Sequence, residues 1–503
     1  MKSSTPIILS TLNARYMHTA FGLRYLYANL GKLQQQTKII EFTIQELPIN
    51  IAERLLSEQP KIIGFSVYIW NVTEVTKTVA MLKQIAPEVT IILGGPEVSH
   101  FPDVPAVAEL ADYVISGQGE ATLPELCQQL LADEVPEQKF IEAKPLLLEQ
   151  LVLPYRYYDD DDIRNRLIYV EASRGCPFKC EFCLSALDKT ATAFPLAPFL
   201  AEMNTLLERG VRNFKFIDRT FNLKIATSIQ ILEFFLERMA DDLYLHFEVV
   251  PDHLPDKLKE VLQRFPANSL QFEIGVQTFD PDIQNLISRR QNNQKTKENI
   301  IWLRQNTGAH LHTDLIFGLP SDTLENFAES FDQLVALNPH EIQLGILKRL
   351  RGAPINRHTD AFELRYNPEA PYNILTNKDV DFSAMQRVNR FARYWDMIGN
   401  SGRFANTLPL ILADIPFQRF MALSDSLHST EGSTWKIALK RLFELLYRVM
   451  TEEFNLPSQQ VKDHLAVDYE RAKLKGLPSY EMAVPVVKTR RQGVANKRQL
   501  MHG

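Results

Sequence analysis

Three of the four cysteines in this 503-residue chain lie within eight residues of one another, at Cys176, Cys180 and Cys183. Three thiolates on one loop can bind three irons of a four-iron cluster, which leaves the fourth iron without a protein ligand. Such an open iron can bind the amino and carboxylate groups of a small molecule, so that an electron passes directly into that molecule. The cysteine spacing therefore predicts a 4Fe-4S cluster that initiates redox chemistry.

Other uses of these three thiols each lack a ligand or a suitable compartment. A structural zinc site and a ferredoxin-type cluster both take four protein ligands. The remaining cysteine, Cys127, precedes the motif by a long stretch of chain and is expected to pack inside a helix over residues 123–131. A disulfide would leave one sulfur unpaired, and disulfides are rare in a reducing compartment. We therefore assign the three cysteines to the cluster.

The cysteine motif resembles that of the radical S-adenosylmethionine (SAM) superfamily, in which an aromatic residue precedes the last cysteine, as Phe182 does here. The resemblance implies reductive cleavage of SAM to methionine and a 5′-deoxyadenosyl radical that abstracts hydrogen. It also implies that Phe182 packs near the adenine, that residues 314–320 support the adenine, and that polar side chains near later strand ends line the SAM site. These side chains are Asp218 and Asn222, in place of a usual Gly-Gly-Glu, with Glu248, Glu273 and Gln277.

The first region of the chain contains five continuous apolar runs, at residues 6–12, 37–43, 61–70, 89–93 and 112–116. Continuous runs are typical of strands that are buried on both faces of a parallel sheet. The pattern predicts an N-terminal doubly wound, Rossmann-like sheet. Such sheets bind ligands at the carboxyl ends of their strands. The candidate ligand-binding residues are those in the turns after the third to fifth runs: Ser66, Tyr68, Gly94, Gly95, Gly117, Gly119 and Glu120.

A second series of six strand–helix units follows, with strands expected at residues 167–173, 213–218, 244–250, 269–277, 309–319 and 341–347. Six consecutive units predict a partial (β/α)6 TIM-type barrel, whose chemistry lies at the carboxyl ends of the strands. The cysteine motif follows the first of these strands directly. From about residue 368 the periodicity becomes mainly helical, for example over residues 382–398 and 435–454.

A Rossmann-like domain ahead of a radical SAM barrel resembles the cobalamin-binding class of this superfamily, whose strand-end turns match in kind and order. The resemblance implies cobalamin as a second cofactor, bound by the turn residues named above. The chain lacks the Asp-x-His-x-x-Gly motif of cobalamin mutases. His18 is therefore expected to be a loop residue without a metal role, and a bound cobalamin would lack a histidine lower ligand. A Rossmann-like domain that has lost cobalamin remains an alternative.

The expected domains are a cobalamin-binding Rossmann-like domain at residues 1–142, a linker at 143–166, a radical SAM core at 167–366 and a helical C-terminal domain at 367–503. We expect the acidic run at residues 159–162 to be a solvated connector without chemistry, and the basic tail at 486–503 to be a solvated chain end. The fold class is therefore α/β, with a mainly helical C-terminal domain.

Composition and charge limit the classes of binding partner that we expect for this protein. The chain carries 61 acidic against 55 basic residues, a net charge of −6, whereas proteins that hold a phosphate backbone are usually basic. Nucleic acid is therefore not an expected partner. No apolar run approaches the roughly 20 residues needed to span a bilayer, and no signal peptide is evident, so we expect a cytoplasmic protein. The expected partners are a small-molecule or peptide substrate and an electron donor such as flavodoxin or ferredoxin.

The leading functional hypothesis is a cobalamin-dependent radical SAM methyltransferase that acts on an unactivated carbon. One alternative is a radical SAM oxidoreductase or cyclase that resembles the anaerobic magnesium-protoporphyrin ester cyclases. Another is a methylthiotransferase, although that group carries three further cysteines in an N-terminal domain. A non-catalytic sensor that binds the cluster and cobalamin is the fourth possibility.

Overall fold

The structure is a computed structural model that describes residues 5–476. The predicted solvated tail at 486–503 lies outside these residues. Residue contacts divide the chain into two compact units. The first consists of Met1–Phe221, Lys348–Arg357 and Asn367–Asn373. The second consists of Asn222–Leu347, His358–Tyr366 and Ile374–Gly503. We describe each unit separately.

The first unit begins with a six-stranded parallel sheet in the order β2-β1-β3-β4-β5-β6. Its strands are β1 (Ile7–Asn13), β2 (Thr37–Thr43), β3 (Ile62–Ser66), β4 (Thr90–Gly94), β5 (Tyr113–Ser116) and β6 (Phe140–Glu142). Alternate residues of a strand point to opposite faces of its sheet. Accordingly, Ile8 and Leu12 of β1 pack in one buried core, whereas Ile7 and Leu9 pack in a second core on the other face.

Helices cover both faces of this sheet, which is the doubly wound arrangement that the sequence predicts. They are α1 (Phe21–Ala28), α2 (Pro48–Leu56), α3 (Val72–Ile85), α4 (Val107–Leu110) and α5 (Thr122–Leu131). The unit's two later helices are α6 (Asp160–Asn165) and α7 (Leu196–Glu208). Cys127 is fully buried in α5, as expected. The remaining strands of the unit are β7 (Ile168–Val170), β8 (Ser173–Arg174), β9 (Thr192–Ala193) and β10 (Asn213–Phe216), of which β7 and β10 pair in parallel.

The second unit contains four parallel strands that pair consecutively. They are β11 (Tyr244–Val249), β12 (Leu270–Gln277), β13 (His310–Phe317) and β14 (Glu341–Ile346), and a short antiparallel pair follows, β15 (Arg365–Tyr366) and β16 (Ile374–Thr376). The helices between and after these strands include the predicted one at 382–398. They are α8 (Ile225–Leu236), α9 (Asp256–Leu262), α10 (Pro281–Leu286), α11 (Asn293–Asn306), α12 (Leu324–Ala336), α13 (Phe382–Ile398), α14 (Leu408–Leu412), α15 (Pro416–Glu431), α16 (Leu439–Arg448) and α17 (Ser458–Arg471).

The predicted fold class is confirmed, because all six predicted barrel strands are present and parallel and the C-terminal region is helical. Two details differ. The N-terminal sheet has a sixth strand, β6, whose three residues are too short to give a periodic signal. The β15–β16 pair also extends past residue 368 into the region expected to be helical. Within residues 5–476, no helix combines the length and apolar character that crossing a membrane requires.

The acidic run at residues 159–162 is exposed at its first three residues, as expected, but its last residue, Asp162, is buried. Asp159 caps the first turn of α6, accepting hydrogen bonds from the backbone of Asp161 and Asp162. The Asp162 side chain is only 2% exposed and forms ion pairs with Arg24 and Arg166. The sequence shows only a charge run. Asp162 is buried because Arg24, which is distant in the chain, and Arg166, which directly follows α6, pair with its carboxylate.

Candidate functional site

The cysteine motif lies in a loop between β8 and β9, which pair antiparallel at Ser173 and Ala193. We call residues 175–191 the cluster loop. Gly175 opens it with φ of +87°, and a Cβ at this position would lie 2.5 Å from the carbonyl oxygen of Thr190. Only glycine adopts this conformation readily. The backbone N–H of Cys176 then donates to the carbonyl of Asp188 at 3.0 Å, so the first cysteine is fixed by the loop's own backbone.

The three thiols lie close enough to influence one another. Cys176 is buried, whereas Cys180 and Cys183 are half-buried. Burial raises the pKa of the Cys176 thiol, the neighbouring Cys183 and Cys180 raise it further, and Arg219 opposes the shift. Within residues 5–476, no three His, Cys, Asp or Glu side chains converge on one metal ion. A cluster does not require that convergence, since each thiolate binds a different iron.

Asp218, predicted to face the methionine amino group of SAM, instead contacts the strand that leads into the cluster loop. Its carboxylate accepts a hydrogen bond from Ala172 N at 2.9 Å and one from Ser173 Oγ at 2.6 Å. The side chain is 3% exposed, and burial raises the pKa of Asp218 to about 7. Asp218 therefore holds the start of the cluster loop, and its contact with SAM stays a prediction.

Asn222, predicted to share that role, is saturated by backbone groups of the second unit. Its Nδ2 donates to the carbonyls of Val250 and His253 at 2.9 and 2.5 Å, and its Oδ1 accepts from Val250 N at 2.7 Å. Both amide hydrogens are used within the protein. Asn222 thus fixes the turn that follows β11, and contact with SAM through this amide stays a prediction.

Titratable side chains form one row across the four strands of the second unit. In register from strand to strand they are Glu248, Glu273, His312 and Glu341. Burial lowers the pKa of His312, but the carboxyls of Asp314, Glu341 and Glu273 outweigh burial, and the pKa is raised overall. Glu273 also lies 3.0 Å from His246 Nε2. The predicted site residues Glu248 and Glu273 are therefore neighbours on one polar face.

Further towards the carboxyl ends of these strands lie two buried oxygen atoms, Gln277 Oε1 and Asp314 Oδ1, that have no hydrogen bond to any of residues 5–476. Gln277 ends β12 after an irregularity in the ladder and has φ of +69°, a conformation that costs energy for a non-glycine residue. Asp314 Oδ1 lies 3.3 Å from His312 Nε2, an ion pair when His312 is protonated. Burial raises the pKa of Asp314. Unsatisfied buried polar atoms of this kind are available to a ligand.

The turn residues of the N-terminal sheet lie on one edge, because β3, β4 and β5 are adjacent and parallel. The strand order reverses between β1 and β3, which is where open α/β sheets bind ligands. At the end of β3, the Ser66 carbonyl accepts from Asn71 Nδ2 at 3.1 Å, and Tyr68 N donates to Asn71 Oδ1 at 2.8 Å. The Tyr68 ring stacks on Trp70 at 4.3 Å.

Two glycine turns continue this edge. Gly94 accepts from Val67 N at 2.8 Å, and Gly95 has φ of +106° with its Cα so close to Val67 that a Cβ would lie 2.6 Å from the Val67 carbonyl oxygen. Gly117 and Gly119 follow β5, and Glu120 after them is buried. The structure thus brings all seven predicted turn residues to the ends of three adjacent strands, where a flat cofactor can approach the backbone.

The residues present fit the predicted cofactors. The cluster loop carries three mutually close thiols, the strand ends of the second unit present two unsatisfied buried oxygens, and the Gly95 turn has no room for a side chain. Phe182 is half-buried between the second and third cysteines, and its contact with adenine stays a prediction. His18 Nδ1 lies 2.7 Å from Tyr169 Oη, a contact between two protein side chains in the first unit.

Three residues of interest were not singled out from the sequence. Asp314 occurs there only as the first residue of a strand-end segment, although a carboxyl within the predicted strand at 309–319 was a usable signal. Arg174 contacts Glu120 and Glu171, and Arg351 contacts Glu97. Arg174 and Arg351 pair with Glu120 and Glu97, which are distant in the chain, so no local sequence pattern indicates these contacts.

Comparison with known families matches three segments of the chain. Residues 9–127 match the B12 binding domain, and residues 170–334 match the Radical SAM superfamily. Residues 360–496 match a family described as a protein of unknown function, DUF4080. The matched domains bind cobalamin and a 4Fe-4S cluster with SAM, so the three predicted cofactors are confirmed.

Several curated proteins are similar over 60% or more of the chain. An uncharacterised methyltransferase of Pyrococcus horikoshii is 23% identical over 60% of this chain and 70% of its own length. The cobalamin-dependent radical SAM methyltransferase TokK of Streptomyces tokunonensis is 24% identical over 67% of this chain, an alignment that spans only 54% of TokK.

Among solved structures, the radical SAM methyltransferase TsrM of Kitasatospora setae, with cobalamin and a 4Fe-4S cluster bound, has a similar fold. Its TM-score is 0.58 at 17% identity, over 73% of this chain and 81% of TsrM. The two domain matches, the cysteine loop and the turns of the N-terminal sheet agree. The chain therefore carries a B12 binding domain followed by a domain of the Radical SAM superfamily.

Proposed function

We propose that this enzyme is a cobalamin-dependent methyltransferase that methylates an unactivated carbon of a small-molecule or peptide substrate. The observation that carries the proposal is the presence, in one chain, of a three-cysteine cluster loop and a Rossmann-like sheet whose strand-end turns fit cobalamin. The similarity to TokK, which is named a cobalamin-dependent radical SAM methyltransferase, supports the same reaction. When bound, the cluster and SAM supply the 5′-deoxyadenosyl radical, and cobalamin supplies a methyl carrier.

The residues of this chain then have separable tasks. Cys176, Cys180 and Cys183 hold the cluster and leave one iron for SAM, and Phe182 contacts the adenine. Asp218 fixes the approach of the chain to the cluster loop through Ala172 and Ser173. These tasks are supported by the buried position of Cys176 and by the hydrogen bonds of Asp218.

The polar strand ends of the second unit are assigned to SAM. Among residues 5–476, Gln277 Oε1 has no hydrogen-bond partner and Asp314 Oδ1 has only the His312 contact, and hydroxyl groups of a ribose would satisfy such acceptors. Glu248 and Glu273 lie on the same face, one row towards the strand amino ends. We assign Ser66, Tyr68, Gly94, Gly95, Gly117, Gly119 and Glu120 to cobalamin.

The proposal is tested with anaerobically purified protein supplied with cobalamin, a reductant and SAM. We expect four irons and one cobalamin per chain, and formation of both 5′-deoxyadenosine and S-adenosylhomocysteine in the presence of the correct substrate. Matched variants are Cys180→Ala, which should lose the cluster, and Cys127→Ala, which should keep it. Absence of both nucleoside products under all conditions would contradict an enzymatic role.

The mass of the product separates methyl transfer from oxidation or cyclisation. Methyl transfer adds one methyl group to the substrate and forms S-adenosylhomocysteine as well as 5′-deoxyadenosine. An oxidoreductase or cyclase removes hydrogens or adds oxygen and forms no S-adenosylhomocysteine. The immediate electron donor, for which flavodoxin and ferredoxin are the candidates, can be identified by replacing the chemical reductant with each protein in turn.

A further inference from the structure

Arginine–carboxylate pairs connect the cluster loop to the N-terminal sheet within the first unit. Arg174, two residues before Cys176, places Nη1 2.8 Å from Glu120 Oε1 and Nε 2.8 Å from Glu171 Oε1. The Arg174 side chain is 15% exposed, and its guanidinium lies over the ring of Tyr25 at 4.5 Å. The strand that enters the cluster loop is thus paired directly with the turn that follows β5.

A second connection runs through Lys348–Arg357, the segment after β14, which we call the arginine strap. It lies between the matched radical SAM and DUF4080 segments. At its end, Arg357 Nε donates to Glu181 Oε2 at 2.9 Å, and Ile355 N donates to the Glu181 carbonyl at 2.9 Å. Glu181 lies between Cys180 and Cys183, and its side chain is 4% exposed. The strap therefore holds the middle of the cluster loop.

The other half of the strap holds the turn that follows β4. Arg351 Nε lies 2.9 Å from Glu97 Oε1, and the same guanidinium pairs with Asp103, which Arg349 Nη2 also contacts at 2.7 Å. Glu97 comes directly after the Gly94-Gly95-Pro96 turn and is only 4% exposed. The strap thus joins the cluster loop to the second of the three predicted cobalamin turns.

Stabilisation of the fold does not account well for the two buried pairs, Arg174 with Glu120 and Arg351 with Glu97. Buried ion pairs contribute little net stability, because the cost of removing the charges from water offsets their attraction, and their best-attested use is to fix one arrangement among several. Arg174 and the strap are separate in sequence. Both nevertheless join the cluster loop to a turn at the ligand edge of the N-terminal sheet.

We propose that Arg174 and Arg351 are positioning residues that couple the occupancy of the cobalamin turns to the state of the cluster loop. The inference rests on the proposed assignment of these turns to cobalamin. A cobalamin that orders the turns after β4 and β5 also orders, through the two arginines, the loop that holds the cluster. Because coupling between two sites is reciprocal, the bound cluster in turn strengthens cobalamin binding by the same factor.

The test measures how fast a chelator removes iron from the anaerobic holoenzyme, with and without hydroxocobalamin, alongside cobalamin affinity from its absorbance. In the wild type, cobalamin slows iron loss. In Arg174→Met and Arg351→Met, we expect this protection and the cobalamin affinity each to fall about ten- to one-hundred-fold, the range for hydrogen bonds to charged groups. The matched control is Arg264→Met, which removes an arginine–glutamate pair with Glu233 in the second unit and should keep full protection.

The outcomes separate the inference from the proposed function. A wild-type protein that binds no cobalamin refutes the proposed role of the turns. A wild type that binds cobalamin, with full protection retained in both arginine variants, overturns the coupling, as does a lower melting temperature with unchanged protection. If Arg351→Met does not fold, Glu97→Gln keeps the side-chain shape, weakens the Arg351 contact and is expected to lose protection in the same way.

Discussion

Replacing Asp218 by Asn removes a carboxyl whose ionisation the fold disfavours. Asn is nearly isosteric, and its Oδ1 can accept from Ala172 N while its Nδ2 donates to Ser173 Oγ, so both contacts are retained. Burial raises the pKa of Asp218 from 3.8 to about 7. The unfolded chain therefore releases this proton first, and folding becomes less favourable as pH rises through this range.

The size of the effect follows from the shift. At 1.36 kcal/mol per pKa unit, a shift from 3.8 to about 7 means that ionisation of Asp218 removes about 4 kcal/mol of stability. That loss is complete once the pH exceeds the folded-state pKa. About half of it, roughly 2 kcal/mol, falls between about pH 5.5 and 8.5. Asp218→Asn has no such group and should therefore gain about 2 kcal/mol relative to the wild type over this interval.

The assay is anaerobic urea unfolding of the two proteins at several pH values, followed by the difference between their unfolding free energies. Other titrating groups are common to both proteins and cancel in this difference. A difference that stays constant between pH 5.5 and 8.5 would refute the reasoning, because it would mean that Asp218 is already ionised at the lower pH. Asp161→Asn, which changes a carboxyl that is exposed on α6, serves as a control with no expected gain at high pH.

Three further predictions concern the cluster, the sheet edge and the buried ion network. Cys176→Ala should abolish the iron content, whereas Cys127→Ala, within the buried core of α5, should leave the iron count unchanged. Gly95→Ala should lower cobalamin affinity, measured by absorbance titration, because its Cβ would lie 2.6 Å from a carbonyl oxygen. Asp162→Asn should destabilise the fold by about 3–5 kcal/mol in urea unfolding, since two buried arginines lose a charged partner; a loss under 1 kcal/mol would show that the network is not needed.

The hydrophobic pattern was sufficient to predict most of the fold. Runs such as residues 89–93 and 112–116 correspond closely to β4 and β5, because strands buried on both faces leave a continuous apolar signal. The pattern missed β6, whose three residues show no periodicity, and it missed the burial of Asp162 within the acidic run at 159–162. Asp162 is buried because Arg24 and Arg166 meet it in space, and composition carries no information about that meeting.

The sequence was sufficient to predict some residues of the candidate site but not others. The three cysteines need only each other, so their spacing was enough. The seven turn residues could be placed on one edge because parallel strands present their carboxyl ends together. Arg174 and Arg351 could not be found this way, because their partners Glu120 and Glu97 belong to other elements. Each arginine meets its glutamate only in the folded chain.

Polar residues at strand ends have two different roles that a sequence does not distinguish. Asp218 and Asn222 look like ligand-binding groups, but backbone donors and acceptors already use their polar atoms. Gln277 and Asp314 occupy comparable positions, yet among residues 5–476 Gln277 Oε1 has no hydrogen-bond partner and Asp314 Oδ1 has only an ion-pair contact with His312. Leaving such an atom unsatisfied costs about 1–3 kcal/mol, a cost that a bound ligand removes. The number of protein partners, rather than residue type, therefore predicts which strand-end residues are open to a ligand.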